Sequence, residues 1–309
     1  MPRQLLIDTD PGVDDALAIL MAAAHPDVHI AALTITAGNV GLDHTLSNAL
    51  KLCEVAGIEA PVYPGAAVPL VATPEDAAHV HGRDGFGGVG YTAAVRRAES
   101  EHAALAMLRH SRERAGALTF VMLGPLTNLA LALSLDPSLP ERVPRLVIMG
   151  GAVTARGNIR IPVEFNIGFD PEAARIVFER WPQLELVDWE ATLRHGLLHD
   201  ECDRWFAGDD PKARFYDRIS RQTRLWSASS RGQRWHSADA LAMAQVLEPE
   251  GALEVTDRAV LVELGGRHTR GMTVVDWAGQ TDARVNAGIL LRYDQERFEA
   301  LVRRAVGAN

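Results

Sequence analysis

Cysteine and lysine are scarce in this 309-residue chain: Cys53 and Cys202 are its only thiols, and Lys51 and Lys212 its only lysines. Two cysteines cannot build a disulfide framework, and neither has a second Cys or a His at zinc-finger spacing, so both read as inert packing residues. No apolar run approaches the roughly 20 uncharged residues of a membrane span. The opening Met1-Pro2-Arg3-Gln4 leads straight into a strand-like segment without a signal-peptide pattern, so a cytoplasmic location is expected. Basic clusters are missing too: 40 acidic against 31 basic side chains give a net charge of -9, which speaks against nucleic acid or an anionic membrane as a partner. No Gly/Ser-rich or Pro-rich linker, internal repeat or low-complexity tract interrupts the chain, so residues 1–309 are expected to form one domain.

What is present is a globular composition, 47% apolar and 23% charged, with enough material for a sizeable core. Residues 4–8 form a short apolar run, and from 14 to 24 the apolar spacing becomes helical. The unit recurs as a strand over 29–36 and a helix over 43–56, with Asp43 as its expected N-cap and Gly57 as its stop. Further strands are expected over 117–123 and 145–149, with a helix after Pro125. Asp170-Pro171-Glu172 supplies a cap, a first-turn proline and an acid for a helix reaching about Arg180. Alternating strands and helices point to an α/β fold, a Rossmann-like open and mainly parallel sheet covered on both faces. Strand-like segments at 259–264, 272–277 and 284–289, followed by a helix over 294–306, predict an antiparallel addition at one sheet edge. Residues 201–236, rich in Arg, Trp and Asp, show only weak helical periodicity.

In open α/β sheets, ligands sit beyond the carboxyl ends of the strands, and there the sequence places Asp8-Thr9-Asp10-Pro11-Gly12-Val13-Asp14-Asp15. Helix capping accounts for Asp14 and Asp15 but not also for Asp8 and Asp10. Four crowded carboxylates call for a cation, and oxygen-only ligands favour Ca²⁺ or Mg²⁺ over zinc. Asp-x-Asp after a first strand also occurs in haloacid-dehalogenase-type, metal-dependent phosphatases. The following Pro11-Gly12-Val13-Asp14-Asp15 departs from the Thr or Val and small turn usual there.

The segment from Asp8 to Ala16 closely resembles the N-terminal signature of the inosine-uridine preferring nucleoside hydrolase family. The likeness continues in family order through Thr36-Ala37-Gly38-Asn39, His81-Gly82-Arg83-Asp84-Gly85, Gly124-Pro125-Leu126-Thr127-Asn128, Met149-Gly150-Gly151, Gly157-Asn158, Glu164-Phe165-Asn166 and Ala238-Asp239-Ala240-Leu241-Ala242. The resemblance implies hydrolysis of the N-glycosidic bond of ribonucleosides to ribose and free base, one bound Ca²⁺, and assembly as a homodimer or homotetramer. It also implies roles for single residues. Asp10, Asp15, the Leu123 carbonyl and Asp239 would hold the metal, and Asp10 would act as general base for the attacking water. Asp14, Asn39, Asn158, Glu164 and Asn166 would bind ribose, with acids and amides offering directional partners to its hydroxyls. Asp8 would orient these groups from behind, and His81, opening a glycine-rich segment expected to form a mobile flap, would touch the base.

One position departs from the family pattern. Relatives of the inosine-uridine branch carry a His before the last metal aspartate as leaving-group acid, and a purine-specific branch commonly carries Trp; here Ala238 stands there. Trp226, Trp235 and His236 are the nearby substitutes, though Trp235 and His236 read equally well as packing at a helix start. A non-catalytic homologue that binds nucleoside or ribose is the alternative outside the enzymes.

Overall fold

The computed structural model describes residues 2–308. Its strands are β1 (Arg3–Thr9), β2 (Val28–Ile35), β3 (Val62–Pro64), β4 (Leu118–Met122), β5 (Arg145–Met149), β6 (Leu184–Val187), β7 (Leu197–Leu198), β8 (Arg234–Trp235), β9 (Ala252–Arg258), β10 (Val260–Val262), β11 (Thr273–Val275) and β12 (Ala287–Tyr293). Eight of them make one sheet in the order β3-β2-β1-β4-β5-β6-β12-β9. From β3 through to β12 every pairing is parallel, and β9 alone runs antiparallel, at the edge. Side chains alternate between two helical layers, as strand geometry requires. Leu5 and Ile7 of β1 join a core with the helices Val13–Ala24, Ala238–Leu247 and Gln295–Ala305, whereas Leu6 faces the opposite core with the helices Ala103–Glu113, Thr127–Leu135 and Pro171–Arg180. No helix among the described residues is long and apolar enough to cross a membrane.

The chain leaves β1 outward through β2 and β3, then returns to place β4 on the other side of β1. Sheet order therefore reverses between β1 and β4, which opens a crevice beyond their carboxyl ends. The acidic turn after β1 and Leu123 after β4 both lie at this crevice.

The C-terminal third differs from the expected arrangement in detail. The segments around 259–264 and 272–277 do not join the main sheet; β10 and β11 pair with each other as a separate antiparallel ribbon. The third segment, shifted to Ala287–Tyr293, is parallel to β6. The antiparallel edge is instead β9, whose residues are mostly exposed on both faces and so lack the apolar alternation that marks a strand. The helix after β2 is capped by Gly41 rather than by Asp43, which sits in the first turn; Gly57 ends it with φ 67° as expected. Asp170 caps the helix Pro171–Arg180 by accepting from Ala173 N at 3.0 Å. Residues 201–236 hold the helices His199–Phe206 and Pro211–Arg231. The buried side of the longer helix includes Ser220, Thr223, Arg224 and Ser227, and these polar residues hide its periodicity.

Candidate active site

At the end of β1 the chain turns through Gly12 into the helix Val13–Ala24. Asp15, in the first turn, accepts from Gly12 N at 2.9 Å, from Asn39 Nδ2 at 3.0 Å, from Asp10 N at 3.3 Å and from the Thr9 hydroxyl. Asp10 Oδ2 accepts from Asn39 N at 2.6 Å, while its Oδ1 is buried without a partner. A Cβ on Gly38 or Gly124 would collide with this carboxylate, so both glycines are required by close approach. Asp8 lies beneath, with Oδ1 accepting from Asn128 Nδ2 at 2.9 Å and Oδ2 unpartnered.

Asp239 arrives from the start of the helix Ala238–Leu247. One carboxylate oxygen each of Asp14, Asp15 and Asp239 lies within 4.8 Å of the others. Asp14, expected on the ribose, is thus part of the acidic cluster itself. Beyond β4, the Leu123 carbonyl accepts from Asn166 Nδ2 at 2.6 Å. Glu164 caps the short helix Phe165–Phe169, accepting from Asn166 N at 2.8 Å and Ile167 N at 3.1 Å, and it also takes Gly151 N at 2.8 Å. Its rotamer is therefore fixed by three backbone donors.

A cavity of about 180 Å³ opens above these groups. Asp14, Asn39, His81, Leu123, Asn158, Glu164, Asn166 and Asp239 line it, and Asp10 and Asp15 lie just behind that lining. Asn158 Oδ1 is buried with no partner. His81 ends the helix Ala78–His81 and accepts from Val13 N through Nδ1 at 3.2 Å. The glycine-rich segment after it is tied down: Asp84 Oδ1 accepts from Phe86 N and Gly88 N, its carbonyl accepts from Asn48 Nδ2, and Phe86 is fully buried.

Burial is the first cause of the unusual acidity of this site. It raises Asp8 and Glu164 to about 7 each, and it raises Asp14 and Asp15 as well. Asp10 and Asp239 are pushed up by burial and then by their anionic neighbours. Carboxylates withdrawn from water, set against one another and left with orphaned oxygens could hold a metal ion through Asp14, Asp15 and Asp239. Burial also lowers His81 to about 4, and burial together with Arg231 lowers His236 to about 4.

The cavity also has an aromatic lining. Trp189, Trp226, Trp235, His236 and Ala238 line it, with Thr223, Ser227 and Arg231 from the helix Pro211–Arg231. The sequence pointed to Trp226, Trp235 and His236 without placing them, and it missed Trp189 and Arg231. Trp189 follows β6 directly, so only the rule that ligands gather at strand ends could have singled it out. Arg231 had no signal of its own among so many arginines.

A family profile described as "Inosine-uridine preferring nucleoside hydrolase" matches residues 5–300. The pyrimidine-specific ribonucleoside hydrolase RihB of Escherichia coli is 32% identical over 307 residues, covering 98% of this chain and 97% of that protein. Among solved structures, an inosine-guanosine nucleoside hydrolase superposes with a TM-score of 0.92 at 32% identity, covering 100% of both chains. A purine-preferring ribonucleoside hydrolase from Gardnerella vaginalis gives 0.91 at 28% identity, covering 99% and 98%. This near-complete match takes the Asp-x-Asp turn out of the phosphatase reading. The chain is a ribonucleoside hydrolase and belongs to the inosine-uridine preferring nucleoside hydrolase family.

Proposed function

We propose that this chain cleaves ribonucleosides with one Ca²⁺, using Asp10 as the base that activates the attacking water. The single observation that carries the reading is the buried, unpartnered Oδ1 of Asp10 behind the cluster of Asp14, Asp15 and Asp239. Asp10, Asp15, the Leu123 carbonyl and Asp239 are the proposed metal ligands. When bound, Ca²⁺ would neutralise these carboxylates and make a nearby water easier to deprotonate.

The remaining steps belong to the side chains. Asn39 N holds Asp10 Oδ2, leaving Oδ1 to take the water's proton. Asp14, Asn39, Asn158, Glu164 and Asn166 are proposed to grip the ribose hydroxyls, and Glu164 is stiffened for that task by its backbone donors. Such a grip favours the flattened sugar that forms as oxocarbenium character builds. Asp8, screened from the cavity, is assigned to orienting its neighbours. A homodimer or homotetramer is the proposed assembly. The two buried free cysteines fit a reducing, cytoplasmic compartment.

The test is turnover of inosine, adenosine, guanosine, uridine and cytidine without phosphate. Ribose release supports the proposal. Ribose release that persists undiminished in metal-stripped protein would overturn the Ca²⁺ reading.

A further inference from the structure

The relatives' names disagree about the base, so its recognition must be read from the cavity's aromatic lining. Arg231 ends the helix Pro211–Arg231, and its guanidinium carbon lies 4.8 Å from the centre of the Trp189 ring and 4.9 Å from that of Trp226. The guanidinium is thereby in cation–π contact with two indoles, contacts that consume none of its N–H groups. Among the described residues no hydrogen bond holds it; burial and the charge of Asp14 are the influences on it. A cation that lines the cavity with its N–H groups uncommitted offers them to whatever enters.

The acids and amides line the same cavity, and Asp14 is close enough to Arg231 to influence its charge, so a nucleoside whose ribose meets them brings its base within reach of Trp189, Trp226 and Arg231. We propose that Arg231 receives the departing base: its guanidinium edge stabilises the negative charge developing there and selects 6-oxopurines. This rests on the hydrolase reading above. The bond from C1′ to N9 breaks with both electrons passing to the purine, whose charge spreads to N7 and O6, where the guanidinium donates. The water adds its OH to C1′, its proton goes to Asp10, and a solvent proton completes the free base. Ribose and neutral base result.

Arginine offers donors only, and the O6/N7 pair of hypoxanthine or guanine offers two adjacent acceptors. Adenine puts an amino donor where O6 would be, leaving one pairing unmade. His236 lies in the same pocket with its ring centre 6.3 Å from that of Trp189, and it is neutral at pH 7 because burial lowers its pKa to about 4. Arg231 is thus the cation left to face the base, although it supplies no proton of its own.

The experiment compares wild type, Arg231→Met and Arg231→Lys on inosine, adenosine and p-nitrophenyl riboside, with thermal melting as a fold control. Wild type should prefer inosine to adenosine. In Arg231→Met, inosine turnover should fall about 10²-fold, the usual cost of losing a donor to a developing anion. p-Nitrophenyl riboside, whose leaving group carries negative charge readily, should fall at least tenfold less, and the inosine preference should collapse. Should Arg231→Met fail to fold, the decision passes to Arg231→Lys, where inosine should again fall more than the activated substrate. Equal losses on both substrates, no loss, or a wild type that takes adenosine as readily as inosine would overturn the proposal. Failure of wild type to release ribose from any of the three would overturn the hydrolase reading instead.

Discussion

The backbone N–H of Asn39 donates to Asp10 Oδ2 at 2.6 Å and leaves the other oxygen of that carboxylate buried and unpartnered. One oxygen is held and the other is free, which is the arrangement a general base needs. Asp10→Asn can keep the bond from Asn39 through its amide oxygen, so the fold should survive. Because an amide cannot take a proton, turnover should drop by roughly 10² to 10⁴. Rate and metal content are to be measured together, and a metal-replete variant with near wild-type rate removes Asp10 from this role.

Gly38 and Gly124 set the space around the same carboxylate. Gly38→Ala puts a methyl group against Asp10 and Pro125, an overpacking expected to cost about 1–3 kcal/mol. Chemical unfolding should show that loss along with weakened metal binding. Unchanged stability and activity would mean that Asp10 can move aside without consequence.

The buried acids make a signed prediction about pH. Asp8 and Glu164 are raised to about 7 from ordinary values of 3.8 and 4.5. Between those limits the folded, metal-free chain binds more protons than the unfolded one, so its stability falls as pH rises from about 4 to 7, by roughly 1.4 kcal/mol per unit for each such group. Metal-stripped protein should therefore melt higher at pH 5 than at pH 7.5. Added Ca²⁺ should reverse the order, since it holds the acids ionised. A stripped protein that gains stability across this window contradicts the burial argument.

Ala238 opens the helix that carries Asp239 and lines the cavity. Ala238→His should raise inosine turnover more than p-nitrophenyl riboside turnover, because only the former gains from a positioned proton donor. Parallel changes, or none, would show that leaving-group protonation does not limit the reaction.

The acidic turn, the βα units and the crevice were legible because short-range patterns encode them: apolar runs, caps such as Asp170, and four carboxylates after β1. β9 was not legible, since its side chains face solvent on both sides. The aromatic lining was hidden for a different reason. Trp189 and Arg231 are far apart in sequence and meet only after β6 and the helix Pro211–Arg231 have packed. Asp14 was singled out from the acidic turn, yet its place in one cluster with Asp15 and Asp239 required geometry.

The most direct measurement is ribose released from inosine in phosphate-free buffer, before and after removal and return of Ca²⁺. The account predicts ribose and hypoxanthine in equal amounts, loss of activity on chelation and recovery with about one Ca²⁺ per chain, as a single oxygen cage implies. Undiminished turnover in fully stripped protein, or nucleoside bound without any ribose released, would contradict it.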